Sequence, residues 1–215
     1  MLASERQITA LVNLFKEGTR LSYKKGEYII RPGEAPSAVF YISTGLVKAY
    51  NITKYGEENL LIIRKDQEIF PLIWAITGKE REIIYQAMTP TEVWRISPQK
   101  YLTYLHNHPA ALPPLLDMVT EMYRIHSERL LNLEYRTVRE RLVSFLLTMS
   151  SRFGNKTDDG VVIEVPLRHQ DIASSINASR ETASREISAL ERKGLITAKN
   201  SHIILIDVPA LQAFL

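Results

Sequence analysis

The feature that most constrains this sequence is residues 115–153, a stretch that contains neither glycine nor proline. Because those two residues break helices most strongly, their absence over this length predicts helix. Apolar side chains recur there at spacings of three and four, and Thr137-Val138 is a plausible break between two helices. The stripe of the first helix consists of Leu115, Val119, Met122, His126, Leu130 and Leu133.

A narrow stripe on a long helix suits a seam between two copies of that helix. It can equally pack on the domain that precedes it, and we expect it to do both, one face on each. The second helix has a wider apolar face at the same spacing, which predicts a buried helix. That face consists of Val138, Leu142, Phe145, Leu146 and Met149.

The residues before this stretch are typical of short strands separated by turns. Pairs such as Pro32-Gly33 and Thr44-Gly45 supply turn conformations, because proline presets φ and glycine tolerates positive φ. Strands that recur about every 8–12 residues predict an all-β sandwich or barrel. The predicted strands are residues 20–23, 27–30, 39–43, 46–51, 59–63, 83–88 and 92–96, and Ser97-Pro98 predicts the start of a helix.

The last fifty residues predict a helix, a tight turn, a second helix and a hairpin. A polar loop at 155–160 and a strand at 161–165 precede a helix over 168–176 and a turn at Asn177-Ala178. Ser179 is a good N-cap for a helix that runs to Lys193 and ends at Gly194. Strands over 195–198 and 203–206 follow, joined by Lys199-Asn200-Ser201-His202. This order is that of a winged helix-turn-helix.

The exposed face of the second helix suits the major groove of DNA. Arginine can donate two hydrogen bonds to guanine and glutamate can accept one from cytosine, so Arg180, Glu181 and Arg185 are the predicted base contacts. Polar side chains around them suit phosphates, which set register rather than sequence. The predicted phosphate contacts are Gln170, Ser179, Thr182, Ser184 and Lys199.

A simpler interpretation is a solvated amphipathic helix in which Glu181 pairs with Arg185 at i,i+4. Net charge does not decide between the two, because residues 166–215 hold six Lys and Arg against five Asp and Glu. The prediction of DNA binding therefore depends on the order of the elements, with the turn and the caps at the expected places.

Two groups of residues resemble a known family. At the C-terminal end the resemblance is to the DNA-binding signature of the CRP/FNR regulators, and nearer the start it is to their cyclic-nucleotide-type β-roll. The C-terminal group is Asp171-Ile172-Ala173 and Ser179-Arg180-Glu181-Thr182, with Arg185, Leu190, Gly194, Leu195 and Ile196. The first group is Lys25-Gly26-Glu27-Tyr28-Ile29-Ile30, Pro32-Gly33-Glu34, Phe40-Tyr41-Ile42 and Gly45-Leu46-Val47-Lys48.

The resemblance implies an α+β chain with three parts. These are a double-stranded β-helix (β-roll) sensor over residues 1–110, a long dimerisation helix over 111–136 and a winged helix-turn-helix over 137–215. It implies a bacterial homodimer on a two-fold symmetric operator, with its recognition helices about 34 Å apart. RNA polymerase is the protein partner that the resemblance suggests.

One departure from the family concerns cyclic AMP. Members that bind it hold the phosphate with Gly-Glu-Leu and Arg-Ser, whereas this chain has Phe70-Pro71-Leu72 and Arg81-Glu82. Phe70 would block close backbone approach, Pro71 removes a donor and Glu82 would repel an anion. We therefore predict that the protein does not bind cyclic AMP. By family analogy, another effector would lie near Arg81, Tyr123, Arg124 and Ser127; alternatively the pocket is degenerate.

Composition limits the other cofactors. The chain has no cysteine, which excludes cysteine-ligated iron–sulfur clusters and disulfides. Haem is not excluded on that ground, since His106, His108 and His126 could ligate iron, but we expect each to be a surface or interface histidine. No metal site is predicted.

The sequence also bears on location and class. It shows no membrane-spanning run and no secretory signal, so a cytoplasmic location is expected. No nucleophile, metal cluster or phosphate loop indicates an enzyme. The alternative to a DNA-binding regulator is a winged-helix and β-roll module that binds proteins or senses nucleotides without DNA specificity.

Overall fold

Two four-stranded sheets form where the sequence predicts short strands, in a computed structural model that describes residues 2–199 and 201–215. The strands are β1 Thr19–Tyr23, β2 Tyr28–Ile30, β3 Val39–Thr44, β4 Val47–Ile52, β5 Glu58–Arg64, β6 Ile69–Phe70, β7 Ile84–Ala87 and β8 Thr91–Ile96. Their orders are β1-β8-β3-β6 and β2-β7-β4-β5. The β1–β8, β3–β8, β3–β6, β2–β7 and β4–β7 pairs are antiparallel.

The turn between β3 and β4 shows why a glycine is needed there. Gly45 has φ +97°, and a Cβ at this position would lie 2.5 Å from the carbonyl oxygen of Pro90. Only glycine combines this backbone conformation with such a close approach. The turn that the sequence predicts here therefore requires its glycine.

The predicted fold class, which combines a β-roll, a long helix and a helix-turn-helix, is confirmed.

The chain divides into two units. Unit 1 comprises the residues up to Asn51 together with Leu60–Tyr123, and unit 2 comprises Ile52–Asn59 and Arg124–Leu215. The predicted division into 1–110, 111–136 and 137–215 stays a prediction.

The helices of unit 1 are α1 Glu5–Lys16, α2 Leu72–Thr77, α3 Pro98–Asn107, a short 3₁₀ turn at Pro109–Ala111, and the first half of α4 Leu112–Tyr135. Ser97 caps α3 as predicted, since its side chain accepts the Lys100 N–H at 3.2 Å. Helix α1 was not predicted from the sequence, although Ser4 and Gln7 form a capping box there. The core of unit 1 packs α1, α3 and α4 together through residues such as Phe15, Tyr101 and Leu115.

Unit 2 contains the rest of α4, α5 Val138–Phe153, α6 His169–Ser175, α7 Arg180–Arg192 and α8 Val208–Gln212. Its sheet has the order β11-β12-β10-β9, built from β9 Gly154–Thr157, β10 Gly160–Ile163, β11 Ile196–Lys199 and β12 His202–Leu205. Thr137 is the predicted break, because it caps α5 in a capping box with Glu140. Asn200, predicted to help join the last two strands, lies outside the described residues.

One expectation about element boundaries is wrong. Residues 155–160, expected as a loop, contain most of β9, which pairs antiparallel with β10. All four residues of β9 are exposed, so no apolar alternation could reveal the strand.

The long helix begins at Leu112 and includes Pro113 and Pro114 in its first turn. Proline is tolerated in a first turn because its missing N–H would have no helical partner there.

Candidate DNA-binding interface

A tight turn joins α6 to α7. Asn177 adopts the left-handed conformation with φ +50°, which asparagine tolerates better than most residues. The Ala178 N–H donates to the carbonyl of Ala173 at 3.0 Å. The backbone therefore reverses within two residues, as the sequence predicts, and brings the two helices together.

Ser179 caps the second helix of the pair. Its hydroxyl accepts the Thr182 N–H at 3.1 Å and donates to the Thr182 hydroxyl at 3.1 Å. Glu181 lies in the first turn, where a negative charge is favourable beside the free N–H groups. Gly194, at φ +69°, follows the last turn and ends the helix as predicted.

The recognition helix α7 has one buried face and one exposed edge. Ala183, Ile187 and Leu190 are at most 1% exposed, as expected for the inward face. Arg180, Glu181 and Arg185 are all exposed. The Arg185 side chain is 71% exposed. The three predicted base contacts thus share an open edge near the start of one helix.

The expected alternative, an ion pair between Glu181 and Arg185, does not form in the part of the chain that the structure describes. The Arg185 Nε lies 4.0 Å from Glu186. Glu186 in turn accepts from the Arg139 Nε of α5 at 2.7 Å. The exposed edge of α7 is therefore not closed by a salt bridge along the helix.

The predicted phosphate contacts surround this edge. Gln170, Ser179 and Lys199 are exposed, whereas Thr182 and Ser184 are half-buried. They come from α6, from the start of α7 and from β11. Strands β11 and β12 together form the wing. Which of them contact DNA stays a prediction.

Arginines that the sequence analysis did not single out hold α6 and its turn. Asp171 is only 2% exposed and accepts from the Arg168 Nε and Nη2, both at 3.0 Å. Arg141 of α5 donates to the carbonyl of Asn177 at 3.3 Å. Arg129 of α4 donates to the carbonyl of Ser174 at 3.3 Å, and burial lowers its pKa. Of these contacts, only Arg168–Asp171 could have been found from the sequence, through the i,i+3 spacing of a capping box.

A groove of about 610 Å³ opens between α6 and the wing. Its lining comes from both wing strands, from the beginning of α6 and from the first residue of α7. The described residues that line it are Leu167, Arg168, His169, Gln170, Ile172, Arg180, Ala198, Lys199, Ser201, His202 and Ile203. Three of the predicted DNA contacts, Gln170, Arg180 and Lys199, therefore meet at one concave surface.

Known families match the two parts of this architecture in order. Residues 20–108 match the cyclic nucleotide-binding domain, and residues 140–214 match the Crp-like helix-turn-helix domain. The chain belongs to the CRP/FNR family of transcription regulators. Regulators of this family bind DNA and are dimers.

Full-length relatives of this CRP/FNR regulator are themselves regulators. The global nitrogen regulator of Synechococcus elongatus is 25% identical over 218 residues, which is 99% of this chain and 98% of the relative. The transcriptional activator protein FnrA of Stutzerimonas stutzeri is 25% identical over 97% of this chain and 84% of its own.

Solved structures share the fold. A mutant of CooA from Carboxydothermus hydrogenoformans superposes with a TM-score of 0.81 at 20% identity, over 99% of this chain and 97% of that one. FixK2 from Bradyrhizobium japonicum superposes with a TM-score of 0.78 at 23% identity, over 92% and 96%.

In this CRP/FNR regulator, aromatic rings fill the interior of the β-roll. Phe70 is fully buried and stacks on Phe40, with ring centroids 5.3 Å apart, and on Tyr85, at 4.6 Å. Burial raises the pKa of Tyr85 above the ordinary tyrosine value. Phe70 thus lies inside a column of rings, where the resemblance placed the glycine of a phosphate-binding segment.

The four residues expected near an effector are placed as follows. Arg81 is exposed in the segment between α2 and β7, and Tyr123 is 72% exposed on α4. The Arg124 Nη1 donates to Glu128 at 3.2 Å, and Ser127 is half-buried. Their role stays a prediction.

The exposed apolar stripe of α4 differs from the predicted one by a shift around the helix. Leu115 is 5% exposed and lies in the core of unit 1, and Met122 packs against that core. These two side chains therefore pack inside unit 1 rather than in an exposed seam. The exposed stripe follows spacings of four and three through Leu112, Leu116, Val119, Tyr123, His126 and Leu130, with half-buried Leu133 next.

Two further observations concern cofactors and membranes. Of the three candidate haem ligands, His106 lies on α3, His108 directly follows that helix and His126 lies on α4. The His108 Nδ1 lies 3.0 Å from the Tyr104 carbonyl oxygen, and its ring stacks on Tyr104. Among the described residues, no helix combines the length and the hydropathy that a membrane crossing requires.

Proposed function

We propose that this CRP/FNR regulator binds a two-fold symmetric operator as a homodimer and reads its bases with Arg180, Glu181 and Arg185. The observation that carries the proposal is the open edge of α7, which a capped turn and a buried apolar face hold in place. Gln170, Ser179, Thr182, Ser184 and Lys199 would bind the flanking phosphates and fix the register of the helix in the groove.

The exposed stripe of α4 supports the homodimer. Leu116, Tyr123 and Leu130 are 52%, 72% and 65% exposed and recur at the spacing of a two-helix seam. An exposed apolar stripe of this length marks a contact surface, and a second copy of the helix would remove it from water. We assign the seam to this shifted stripe, which keeps Val119, His126, Leu130 and Leu133 of the set predicted from the sequence.

Cyclic AMP is not the effector in this proposal. The Phe70 ring stands where a phosphate would need close backbone approach, and Pro71 has no N–H to offer it. Glu82 would place a carboxylate beside the anion. The residues present therefore do not fit the nucleotide, and calorimetric titration of the purified protein with cyclic AMP should show no heat of binding. Micromolar binding would overturn this part of the proposal.

The remaining parts of the proposal follow from DNA binding. The protein would work in the cytoplasm, where its DNA is, with RNA polymerase as its protein partner. It would have no iron–sulfur cluster, since it lacks the thiolates, and no enzymatic activity. A colourless purified protein would agree with the absence of haem. A different small molecule near Arg81, Tyr123, Arg124 and Ser127 would be its effector, which a thermal-shift screen of nucleotides and small anions can test.

Selection of bound duplexes from a random pool tests the proposal as a whole. We expect an inverted repeat whose half-sites are one helical turn apart, about 34 Å. Affinity for the selected duplex should fall as a power of salt concentration, because phosphate contacts release counterions. Enrichment of no sequence, or binding that is insensitive to salt, would instead favour a winged-helix module that binds proteins.

A further inference from the structure

The groove between α6 and the wing carries more positive and titratable groups than base reading needs. Arg168, His169, Arg180, Lys199 and His202 all line it. None of the described residues that line it has a carboxylate. An open concave surface with this lining suits an anion, and the proposed ligand supplies a row of them in its phosphates.

We propose that this groove holds a backbone phosphate of the bound duplex, an inference that rests on the proposed function. His169 and His202, which line the groove, would make the affinity for DNA rise as pH falls. Neither histidine nor Arg168 belongs to the contacts that the sequence predicts. The groove would thus add a proton-linked contact to the recognition helix.

Arg168 is already oriented for such a contact. Asp171 accepts from its Nε, its Nη2 and its backbone N–H, each at 3.0 Å. The arginine side chain nevertheless stays 64% exposed, so a ligand can reach it from solvent. Because the buried carboxylate fixes the guanidinium plane, less side-chain entropy is lost when a phosphate binds.

The charged groups around the histidines favour this reading. On α6 the only carboxylate is Asp171, which Arg168 engages; beside the wing, Glu191 accepts the Ala198 N–H at 2.9 Å. The other charged groups facing the groove are Arg180 and Lys199, both cationic. A phosphate entering the groove would therefore meet a lining whose described charged groups are cationic.

Protonation then becomes linked to binding. An imidazole ordinarily titrates near pH 6.5, and a phosphate beside it favours the protonated form, in which both ring nitrogens donate. A group that is more readily protonated in the complex contributes affinity at low pH and loses that contribution as pH rises. The affinity should therefore increase between about pH 8 and pH 5.5.

The test uses the full-length protein and a fluorescein-labelled duplex that carries the selected operator. Anisotropy titrations at constant ionic strength from pH 8.0 to 5.5 should show wild-type affinity rising up to about tenfold for each histidine. The double variant H169Q/H202Q should change less than about twofold over the same range. The matched control H106Q/H108Q, which removes two exposed histidines in and just after α3, should keep the wild-type pH dependence.

Two further readouts separate a phosphate contact from a base contact or a folding defect. A scrambled duplex of equal length should show the same pH ratio, because phosphates carry no sequence information. Arg168→Gln should reduce the slope of log affinity against log salt by about one. Thermal melts at each pH identify any variant that does not fold, and the single variant H202Q then replaces the double one.

The outcomes distinguish this inference from the proposed function. Selective binding with equal pH dependence in the wild type and in folded H169Q/H202Q overturns the inference and leaves the proposed function intact. No binding to any duplex at any pH overturns both. Loss of the pH dependence in the variant, with operator selectivity retained, supports both.

Discussion

The interior of the β-roll and the groove beside the wing are opposite in character. Inside the roll, Phe40, Phe70 and Tyr85 stack on one another with centroids at most 5.3 Å apart. The groove is open and lined by side chains that donate hydrogen bonds or carry positive charge. One region is closed by its own residues, and the other offers polar groups to a ligand.

This difference underlies the proposal that the β-roll does not bind cyclic AMP. Residues 20–108 match a cyclic nucleotide-binding domain, and Phe70 of the ring column lies where the resemblance places the glycine of a phosphate-binding segment. The buried cation near Tyr85, Arg64, is already paired with Glu68 at 3.2 Å. We infer that packing of the ring column stabilises unit 1, whereas unit 2 keeps the polar edge of α7 exposed.

The largest expected effect comes from removing the centre of the ring column. Phe70→Ala should lower the free energy of unfolding of unit 1 by about 3–5 kcal/mol, because it removes a fully buried ring and leaves a cavity. Denaturant titration followed by tryptophan fluorescence measures this, since Trp74 and Trp94 both lie in unit 1. Ile76→Ala, at a position 50% exposed in the same unit, is the control and should cost little. A loss below about 1 kcal/mol for Phe70→Ala would mean that the column is not a packing element.

In unit 2 the corresponding change should affect binding rather than folding. Arg180→Ala should weaken operator binding by about 1–3 kcal/mol and relax preference at one base pair, with the thermal midpoint unchanged. Repeating the duplex selection with the variant locates that base pair. Arg192→Ala, an exposed arginine in the last turn of the same helix, is the matched control and should keep the preference. Specificity that survives Arg180→Ala would show that Arg180 does not read a base.

The sequence predicts some elements better than others. The helix-turn-helix was predictable residue by residue, because Ser179, Asn177 and Gly194 act locally through caps and turns. The strand β9 was not predictable, because its residues are all exposed and only backbone pairing with β10 defines it. Caps and turn residues therefore locate elements in the sequence, whereas a strand whose residues are all exposed carries no apolar pattern.

The interfaces were harder to predict for a related reason. Spacing alone placed Leu115 and Met122 in the same stripe as Val119. The first two pack with residues of α1 and α3 in the core of unit 1, whereas Val119 stays exposed. The groove combines α6, α7 and both wing strands, so no contiguous motif indicates it. Arg168 and His202 are separated in the sequence and meet only through the fold.

A smaller effect is expected from the helix caps, one in each unit. Ser179→Ala should reduce stability by about 1 kcal/mol, since it removes the acceptor for the Thr182 N–H, and should weaken DNA binding as well. Ser4→Ala removes the corresponding cap of α1 and should reduce the stability of unit 1 by a similar amount without changing DNA affinity. Thermal melts and anisotropy titrations measure the two effects. Equal loss of DNA affinity in both variants would contradict the division of roles.

The smallest expected effect is a loss of stability at low pH. Side-chain and backbone hydrogen bonds from Thr137 hold the pKa of Glu140 below the ordinary glutamate value, and the Leu2 and Ala3 amides do the same for Asp117 in unit 1. A carboxylate whose pKa is lowered by folding contributes stability above its unfolded value, near pH 4, and loses it as pH falls through the folded value.

Both contributions should therefore disappear at low pH, and both are modest because the two carboxylates are exposed to solvent. The midpoint of thermal unfolding should decrease between about pH 5 and pH 3 less steeply in Glu140→Gln than in the wild type. Asp117→Asn should flatten the same dependence when tryptophan fluorescence reports on unit 1. Because Glu140 caps the helix that begins at the Thr137 break, its variant should leave the tryptophan-detected transition of unit 1 unchanged. If Glu140→Gln alters that transition as strongly as Asp117→Asn does, the two units unfold together as one cooperative molecule. The stability of the ring column and that of the helix-turn-helix could then not be assigned to separate units.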